Sequence, residues 1–322
     1  MTAPRLAVQI VTWNSADSID ECLDSVAAQT SPPAEVVVVD NASEDGSADR
    51  VAAWFSRRLT GTLLRESVNR GFSGGQNRAL ALTRSDWVLF LNPDAVLPSD
   101  FIAQTMSRIA GLSADVGSVA PRILRPDGRI DSTGLVLDRF RRAYDRGRGE
   151  LVTARYATEE DVLGCTGAVA LHRRAMLDDV ALDGKPLDEV LFAYYEDLDL
   201  SWRARLRGWR CRYIPSLVAV HRRAGRNALR SLPGCSSSVK EQALTVRNRL
   251  LVLVKCERLG DCATALPGMI LFELARVAYL ALRAPGALRG YAQALAALPA
   301  ALRDRRRILS TAAPGSPRAP AR

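Results

Sequence analysis

The first hundred residues predict a doubly wound α/β fold, in which strands of one sheet alternate with helices. Three observations predict it. Segments 6–11, 35–40 and 87–91 are short apolar runs rich in β-branched residues, and strands apolar on both faces belong in the middle of a covered parallel sheet. Segments 15–28 and 47–58 between them carry apolar residues at helical spacing. Finally, Thr12, Asn14, Asp40, Asn41, Asn92 and Asp94 all fall at the carboxyl ends of predicted strands, where open α/β sheets bind their ligands.

The elements follow in order. The strand at 6–11 leads to the helix at 15–28, with Ser15 or Asp17 as N-cap and Pro32-Pro33 as its terminator. The strand at 35–40 ends in Asp40, and a second helix spans 47–58. A strand at 62–65 precedes a helix at 74–83, and the strand at 87–91 stops at Asn92-Pro93-Asp94. Beyond residue 115 the pattern weakens. Segments 116–120 and 167–171 read as strands, 139–148 as an Arg-rich loop, and 186–207 as an acidic cluster running into a helix. Segments 211–214 and 217–220 read as a last strand ending at His221. From about residue 236 the chain reads as helices at 243–254, 263–282 and 291–302, and from Pro314 as a disordered tail. The expected division is a catalytic domain over 1–225, a basic amphipathic helical region over 226–310 and a tail over 311–322.

Composition excludes several classes. Hydrophobic residues make up 48% and charged residues 25% of the 322, so wholesale disorder is not expected. No two of the six cysteines stand at CxxC spacing, which argues against zinc fingers and thioredoxin-like chemistry. No apolar core followed by a small-residue cleavage site opens the chain, so no signal peptide is expected. The net charge of +9 is uneven: residues 1–220 hold 26 basic against 30 acidic groups, and 221–322 hold 18 against 5. That basic end suggests an anionic partner, nucleic acid or a membrane surface.

Several segments could carry chemistry, and each has a plain structural alternative. Asp94, just past a buried strand, offers a hard divalent cation the oxygen ligand it prefers; Asn-Pro-Asp is equally a turn. Asp40 could accept hydrogen bonds from a base or ribose, or cap the next helix. The stretch from Asn69 through Gly71 to Asn77 is glycine-rich and opens a helix, where a backbone can approach an anion; it is also a loop with a cap. Glu196, Asp197 and Asp199 crowd three carboxylates into four positions. Crowding raises their pKa values, which suits a general base; a helix first turn favours acids in any case. His221 ends an apolar strand, and the only other histidine is His172.

Taken in order, Val11-Thr12-Trp13-Asn14, Val38-Val39-Asp40-Asn41-Ala42-Ser43-Glu44-Asp45-Gly46-Ser47, Asn69-x-Gly71 with Asn77, Asn92-Pro93-Asp94, Glu196-Asp197-x-Asp199 and His221 resemble family 2 glycosyltransferases over roughly residues 5–225. The resemblance implies the GT-A fold, a doubly wound mixed sheet, with a C-terminal helical extension. Thr12, Trp13, Asn14, Asp40, Asn69, Gly71, Asn77, Asn92 and Asp94 would serve the nucleotide-sugar donor. Asp94 and His221 would hold Mg²⁺ or Mn²⁺. Asp197, with Glu196 beside it, would deprotonate the acceptor hydroxyl, and Cys165, Thr166, Gly167 and Arg203 would lie on the acceptor side. Many relatives carry Asp where this chain has Asn92, so one ligand charge is lost. One base and no enzymic nucleophile imply a single displacement with inversion.

Within the family the chain is most similar to actinobacterial rhamnosyltransferases that extend a polyprenyl-diphosphate-linked GlcNAc in building the cell-wall linker to arabinogalactan. That implies a dTDP- or UDP-sugar donor, a polyprenyl-linked acceptor and a peripheral place on the cytoplasmic side of the plasma membrane. UDP-galactofuranose, UDP-GlcNAc and GDP-mannose remain alternative donors, and a homo-oligomer is compatible with the sequence. An inactive nucleotide-sugar-binding protein is a second reading, against which the intact Asp94 and Asp197 argue. Nucleic acid is not expected as a partner, because aromatic–basic interleaving and a recognition motif are missing.

Overall fold

The structure is a computed structural model and describes residues 4–58, 60–223, 238–258, 260 and 265–313. The expected domain boundary near 225 and the tail from Pro314 lie outside those residues.

The first half alternates as the sequence predicts: β1 (Leu6–Thr12), α1 (Ile19–Ala27), β2 (Glu35–Asp40), α2 (Ser47–Phe55), β3 (Thr62–Arg65), α3 (Gly71–Leu82) and β4 (Trp87–Leu91). A two-residue strand, β5 (Ala95–Val96), and a helix, α4 (Phe101–Ile109), follow. Next come β6 (Val116–Leu124), β7 (Ile130–Ser132), the hairpin of β8 (Leu135–Leu137) and β9 (Ala143–Asp145), then β10 (Glu160–Val162) and β11 (Val169–Arg173). The chain continues through α5 (Arg174–Asp179), α6 (Glu196–Leu206) and β12 (Arg210–His221). Three helices end it: α7 (Val239–Cys256), α8 (Leu266–Arg283) and α9 (Arg289–Ser310).

The main sheet runs β10-β12-β6-β11-β4-β1-β2-β3. β1 pairs in parallel with β2 and β4, with Thr12 opposite Asp40 and Ile10 opposite Leu91. β11 runs antiparallel between β4 and β6, which makes the sheet mixed. Side chains alternate between the faces with the two-residue period of a strand. Leu6, Val8 and Ile10 join a core with α1, α2 and α4, whereas Val11 packs with Ala79 of α3 on the other face. The 139–148 segment, expected as a loop, contains β9, whose pairing to β8 its polar, Arg-rich composition conceals.

Two short pairings shape the site. β5 pairs antiparallel with the end of β12, setting His221 opposite Ala95, and the Arg222 N–H donates to the Asp94 carbonyl at 2.9 Å. β7 pairs with β6 and carries Asp131.

The C-terminal helices share a core with the α/β region. Leu251, Val252 and Cys256 of α7 and Ala301 and Ile308 of α9 cluster with Leu198, Trp202 and Leu206 of α6 and with Leu135 and Leu137 of β8. α9 runs through Pro299 and takes in the whole Arg305-Arg306-Arg307 run. Leu251 is buried against α6, so Leu251→Ala should cost ~2–5 kcal/mol. In a urea titration we expect one cooperative transition that shifts as a whole; an early, separate helical transition with the remainder unmoved would show that α7 is not part of this core.

Candidate active site

Parallel pairing brings the carboxyl ends of β1, β2 and β4 to one edge of the sheet. Thr12 and Asp40 are buried there, and Thr12 Oγ1 and Asp40 Oδ1 have no hydrogen-bond partner within the protein. Each such orphan costs roughly 1–3 kcal/mol, so this edge is built for a polar ligand. The other Asp40 oxygen accepts from the Ser43 N–H at 3.0 Å, so Asp40 also caps its loop. Asn14, with φ of 51°, accepts from Glu44 N–H at 2.9 Å and ties the first two strand–helix loops together. The Trp13 ring stands 56% exposed.

Asn41, which the sequence did not single out as a site residue, holds the glycine-rich turn. Its amide donates to the Gly71 carbonyl at 2.8 Å, and Asn69 accepts from the Gly71 N–H at 2.8 Å. Gly71 has φ of +70°, and a Cβ there would lie 2.3 Å from the Phe192 carbonyl oxygen, so only glycine fits. Asn77, expected beside the donor, is committed elsewhere. It donates to the Leu187 carbonyl and to Glu189, and accepts from Leu187 N–H, pinning α3 to the chain before α6.

A cleft of about 520 Å³ gathers Asn92, Asp94, Thr166, Gly167, Glu196, Asp197 and His221. Asn92-Pro93-Asp94 forms a turn that lines the cleft: Ala95 N–H closes it onto the Asn92 carbonyl at 3.0 Å. On that wall His221 Nε2 lies 3.1 Å from Asp94 Oδ1, and His221 Nδ1 lies 2.8 Å from Asp131 Oδ2. Burial pulls the imidazole pKa down, but the bonds to Asp131 and Asp94 outweigh it and raise it to about 9. Burial likewise pushes Asp131 up, and His221 and Arg223 overcome that and bring it to about 2. Arg223 pairs with Asp131 at 2.7 Å and with Asp145 at 3.5 Å.

The opposite wall is the first turn of α6. Asp197 accepts from Leu198 N–H at 2.7 Å and Gly167 N–H at 3.4 Å. Burial, then the charge of Asp145, raises its pKa to about 6 against those donors. Burial and the neighbouring Asp197 charge push Glu196 to about 8. Burial and mutual repulsion thus hold both carboxyls of this crowded pair above the ordinary carboxylate range, Glu196 further than Asp197. Environments that push two carboxyls apart divide base from acid.

Asp199 does something else. It is fully buried, bonded to Arg203 at 2.9 Å and Lys255 at 2.5 Å, and these cations hold its pKa down against burial. Arg203, expected on the acceptor side, is 2% exposed and also donates to the Val180 and Pro186 carbonyls. It stands one turn after Asp199 and so shares that helix's inward face. Cys165 is also turned away, buried with its Sγ 3.9 Å from His172, and only Thr166 and Gly167 of that segment line the cleft.

The chain entering α6 is contorted. Phe192, Tyr194 and Tyr195 have φ of 64°, 71° and 70°, at a cost of roughly 1–3 kcal/mol each. Asn248 of α7 holds them: its Nδ2 donates to the carbonyls of Leu191, Ala193 and Tyr194 at 2.7, 2.9 and 2.7 Å. Arg247 donates to the carbonyls of Val190 and Leu191 at 2.7 and 3.1 Å. Sequence reading missed Asp131, Asp145, Arg223 and Asn248. Asn248 shares the buried side of its helix with two further polar residues, Arg249 and Lys255, so spacing alone does not mark it. We expect Asn248→Ala to slow transfer on the order of 100-fold, as misplacing a catalytic group does, while nucleotide affinity by calorimetry stays within about twofold. Equal losses in both would refute a role confined to this loop.

Comparison with known proteins accords with this geometry. Residues 7–180 match the sequence profile of glycosyl transferase family 2. The N-acetylglucosaminyl-diphospho-decaprenol L-rhamnosyltransferase of Mycobacterium tuberculosis is 27% identical over 248 residues, which span 68% of this chain and 76% of that one. A PGL/p-HBAD biosynthesis glycosyltransferase of Mycobacterium bovis is 35% identical over 111 residues, 34% of this chain and 42% of the relative. Among solved structures, the Pyrobaculum calidifontis mannosyltransferase PcManGT, in complex with GDP-Man and Mn²⁺, aligns with a TM-score of 0.57 at 24% identity over 93% of this chain and 76% of its own. S. aureus TarS 1-349 with UDP-GlcNAc aligns at 0.59 and 19% identity over 96% and 84%. The mixed sheet with its C-terminal helices is the GT-A fold, and the chain belongs to the family 2 glycosyltransferases.

Proposed function

We propose that the chain is an inverting transferase that moves L-rhamnose from dTDP-rhamnose to a polyprenyl-diphosphate-linked GlcNAc. The observation that carries the inverting chemistry is the pairing of two unlike walls in one cleft: Asp94 and His221 on one, and a buried Asp197 on the other. The rhamnosyl specificity is supported by the mycobacterial relative, named for that donor sugar and a decaprenol-linked GlcNAc.

The residues do the following. Thr12 Oγ1 and Asp40 Oδ1 supply unspent polar atoms to the nucleotide. Asp197 takes the proton of the acceptor hydroxyl, whose oxygen then attacks the anomeric carbon from the face opposite the diphosphate, inverting it. Asp94 Oδ1 and, with its ring proton displaced, His221 Nε2 would hold Mg²⁺ or Mn²⁺, and Asp131, bonded to the other ring nitrogen, is the usual outer partner of a metal-bound histidine. The donor set fits: one carboxylate and one imidazole, with the diphosphate left to contribute oxygens. Among the described residues no third such side chain joins them. When bound, the cation neutralises charge on the leaving group.

The test is a thermal-shift screen of dTDP-rhamnose, UDP-GlcNAc, UDP-galactofuranose and GDP-mannose with Mg²⁺ or Mn²⁺. We expect the largest shift with dTDP-rhamnose and its loss with EDTA; a larger shift with another sugar nucleotide would replace the donor assignment. Asp131→Asn should weaken metal-dependent donor binding ~10–100-fold.

Asp197 makes a two-sided prediction. The rate should fall about tenfold per pH unit below about 6, where Asp197 protonates. Its folded pKa lies above the ordinary 3.8. Between those values the folded chain keeps a proton that the unfolded chain has lost, so Asp197 lowers stability as pH rises through that window. Asp197→Asn should therefore raise Tm while cutting kcat ~10²–10⁴-fold. A variant with near wild-type turnover would sink the mechanism.

A further inference from the structure

Helix α8 is inside out for a protein surrounded by water. Its acid, Glu273, faces inward, paired with Arg249 and accepting from the Tyr291 hydroxyl at 2.7 Å, and Arg276 lies 3.7 Å from the same carboxylate. Its apolar side chains face outward: Ile270 is 53% exposed, Leu271 68%, Leu274 64%, Tyr279 50% and Leu282 84%. Leu280 is the single residue of the helix that is buried. An exposed apolar face of this kind marks an interaction surface.

Three features say what covers it. First, the outward face carries no acid, and its exposed charged residue is Arg283 at the helix end. Exposed Arg139 adds a cation near the other end, beside Phe140, whose ring packs under Gly268. An apolar stripe flanked by arginines matches an anionic lipid surface: hydrocarbon beneath, phosphates at the margins. Second, the helix has 18 residues, and among the described residues no helix is long and apolar enough to cross a membrane. A helix of that kind, apolar on one side only, suits the interface plane and not a crossing. Third, the helix that bears this face lies beside the cleft, through Phe272 on its inner side. Arg142 stacks on Phe272 of α8 and on Tyr144, each at 5.2 Å, and Tyr144 lines the cleft.

We propose that the outward face of α8 docks on an anionic lipid bilayer and holds the cleft mouth at its surface. An acceptor on a lipid anchor then meets Asp197 by diffusing in the plane of the membrane. That delivery role rests on the acceptor class proposed above; the docking does not.

The test uses the full chain, sedimented with vesicles of phosphatidylglycerol and phosphatidylcholine or of phosphatidylcholine alone, without donor or acceptor. We expect binding to the anionic vesicles, weakened by salt, and a drop of at least about tenfold for Leu271→Glu/Leu274→Glu. Both side chains are mostly solvent-facing, so the variant should keep its Tm and its thermal shift with the nucleotide donor. A tryptophan at position 274, as Leu274→Trp, should shift its emission to the blue on binding. Wild-type protein left in the supernatant, or a double variant that binds as well as wild type, would overturn the proposal. So would sedimentation velocity showing a dimer that the variant splits, which would assign the face to a second copy of the chain. Vesicle binding by a chain that transfers no sugar when dTDP-rhamnose and vesicles carrying polyprenyl-diphosphate-GlcNAc are then supplied would leave the docking standing and remove the acceptor reading.

Discussion

One amide side chain governs how the α6 wall of the cleft is presented. The three-carbonyl grip of Asn248 keeps residues 191–195 in a path that L-residues rarely take, with positive φ at three large side chains. The path matters because it sets the direction of α6. A relaxed loop would let the helix start elsewhere, and the first-turn carboxylates would leave the cleft. Lys255, a further two turns along α7, holds the same helix from behind through Asp199, and Asp188 completes its pairing at 2.6 Å. Breaking a buried pair by removing one partner is far more damaging than replacing both, so this grip resists piecemeal loss.

Electrostatics then divides the cleft. On the Asp94 wall, negative charge is matched: His221, Arg223 and Arg148 stand among Asp94, Asp131 and Asp145. On the α6 wall Glu196 and Asp197 have backbone donors and each other, and burial drives both pKa values up. The unmatched wall is where a proton can be accepted near neutral pH. The matched wall is where an anion and its counter-ion can be exchanged for a hydrogen bond between Asp94 and His221. Holding Asp197 ionised in a buried place opposes stability, which is the ordinary cost of an active site.

How much of this was legible in the sequence depends on what carries the signal. Asp40, Asp94 and His221 were legible because strand ends are legible, and a parallel sheet brings such ends together. Asp131 was not: it meets His221 across 90 residues of sequence, through a three-residue strand with no pattern of its own. The carboxylate cluster shows the same limit within one turn. Spacing finds Asp197 and Asp199 together, but two residues are about 200° apart around a helix. One therefore faces the cleft and the other the core. Arg203 follows Asp199 inward for the same reason, against the expectation that it meets the acceptor.

The basic surplus near the C-terminus first suggested a surface for something anionic, and the structure divides that charge into two tasks. Arg249 and Lys255 are buried and serve the interior, closing ion pairs with Glu273, Asp188 and Asp199. Counting charges along the chain could not separate these from Arg283, which remains at the surface. The split also explains why α8 has its polarity reversed. Glu273 is drawn inward by Arg249, and the helix rotation that satisfies this pair turns Leu271 and Leu274 outward. The interior ion pair and the exposed apolar stripe are thus two faces of a single rotational setting: α8 cannot keep the first without displaying the second.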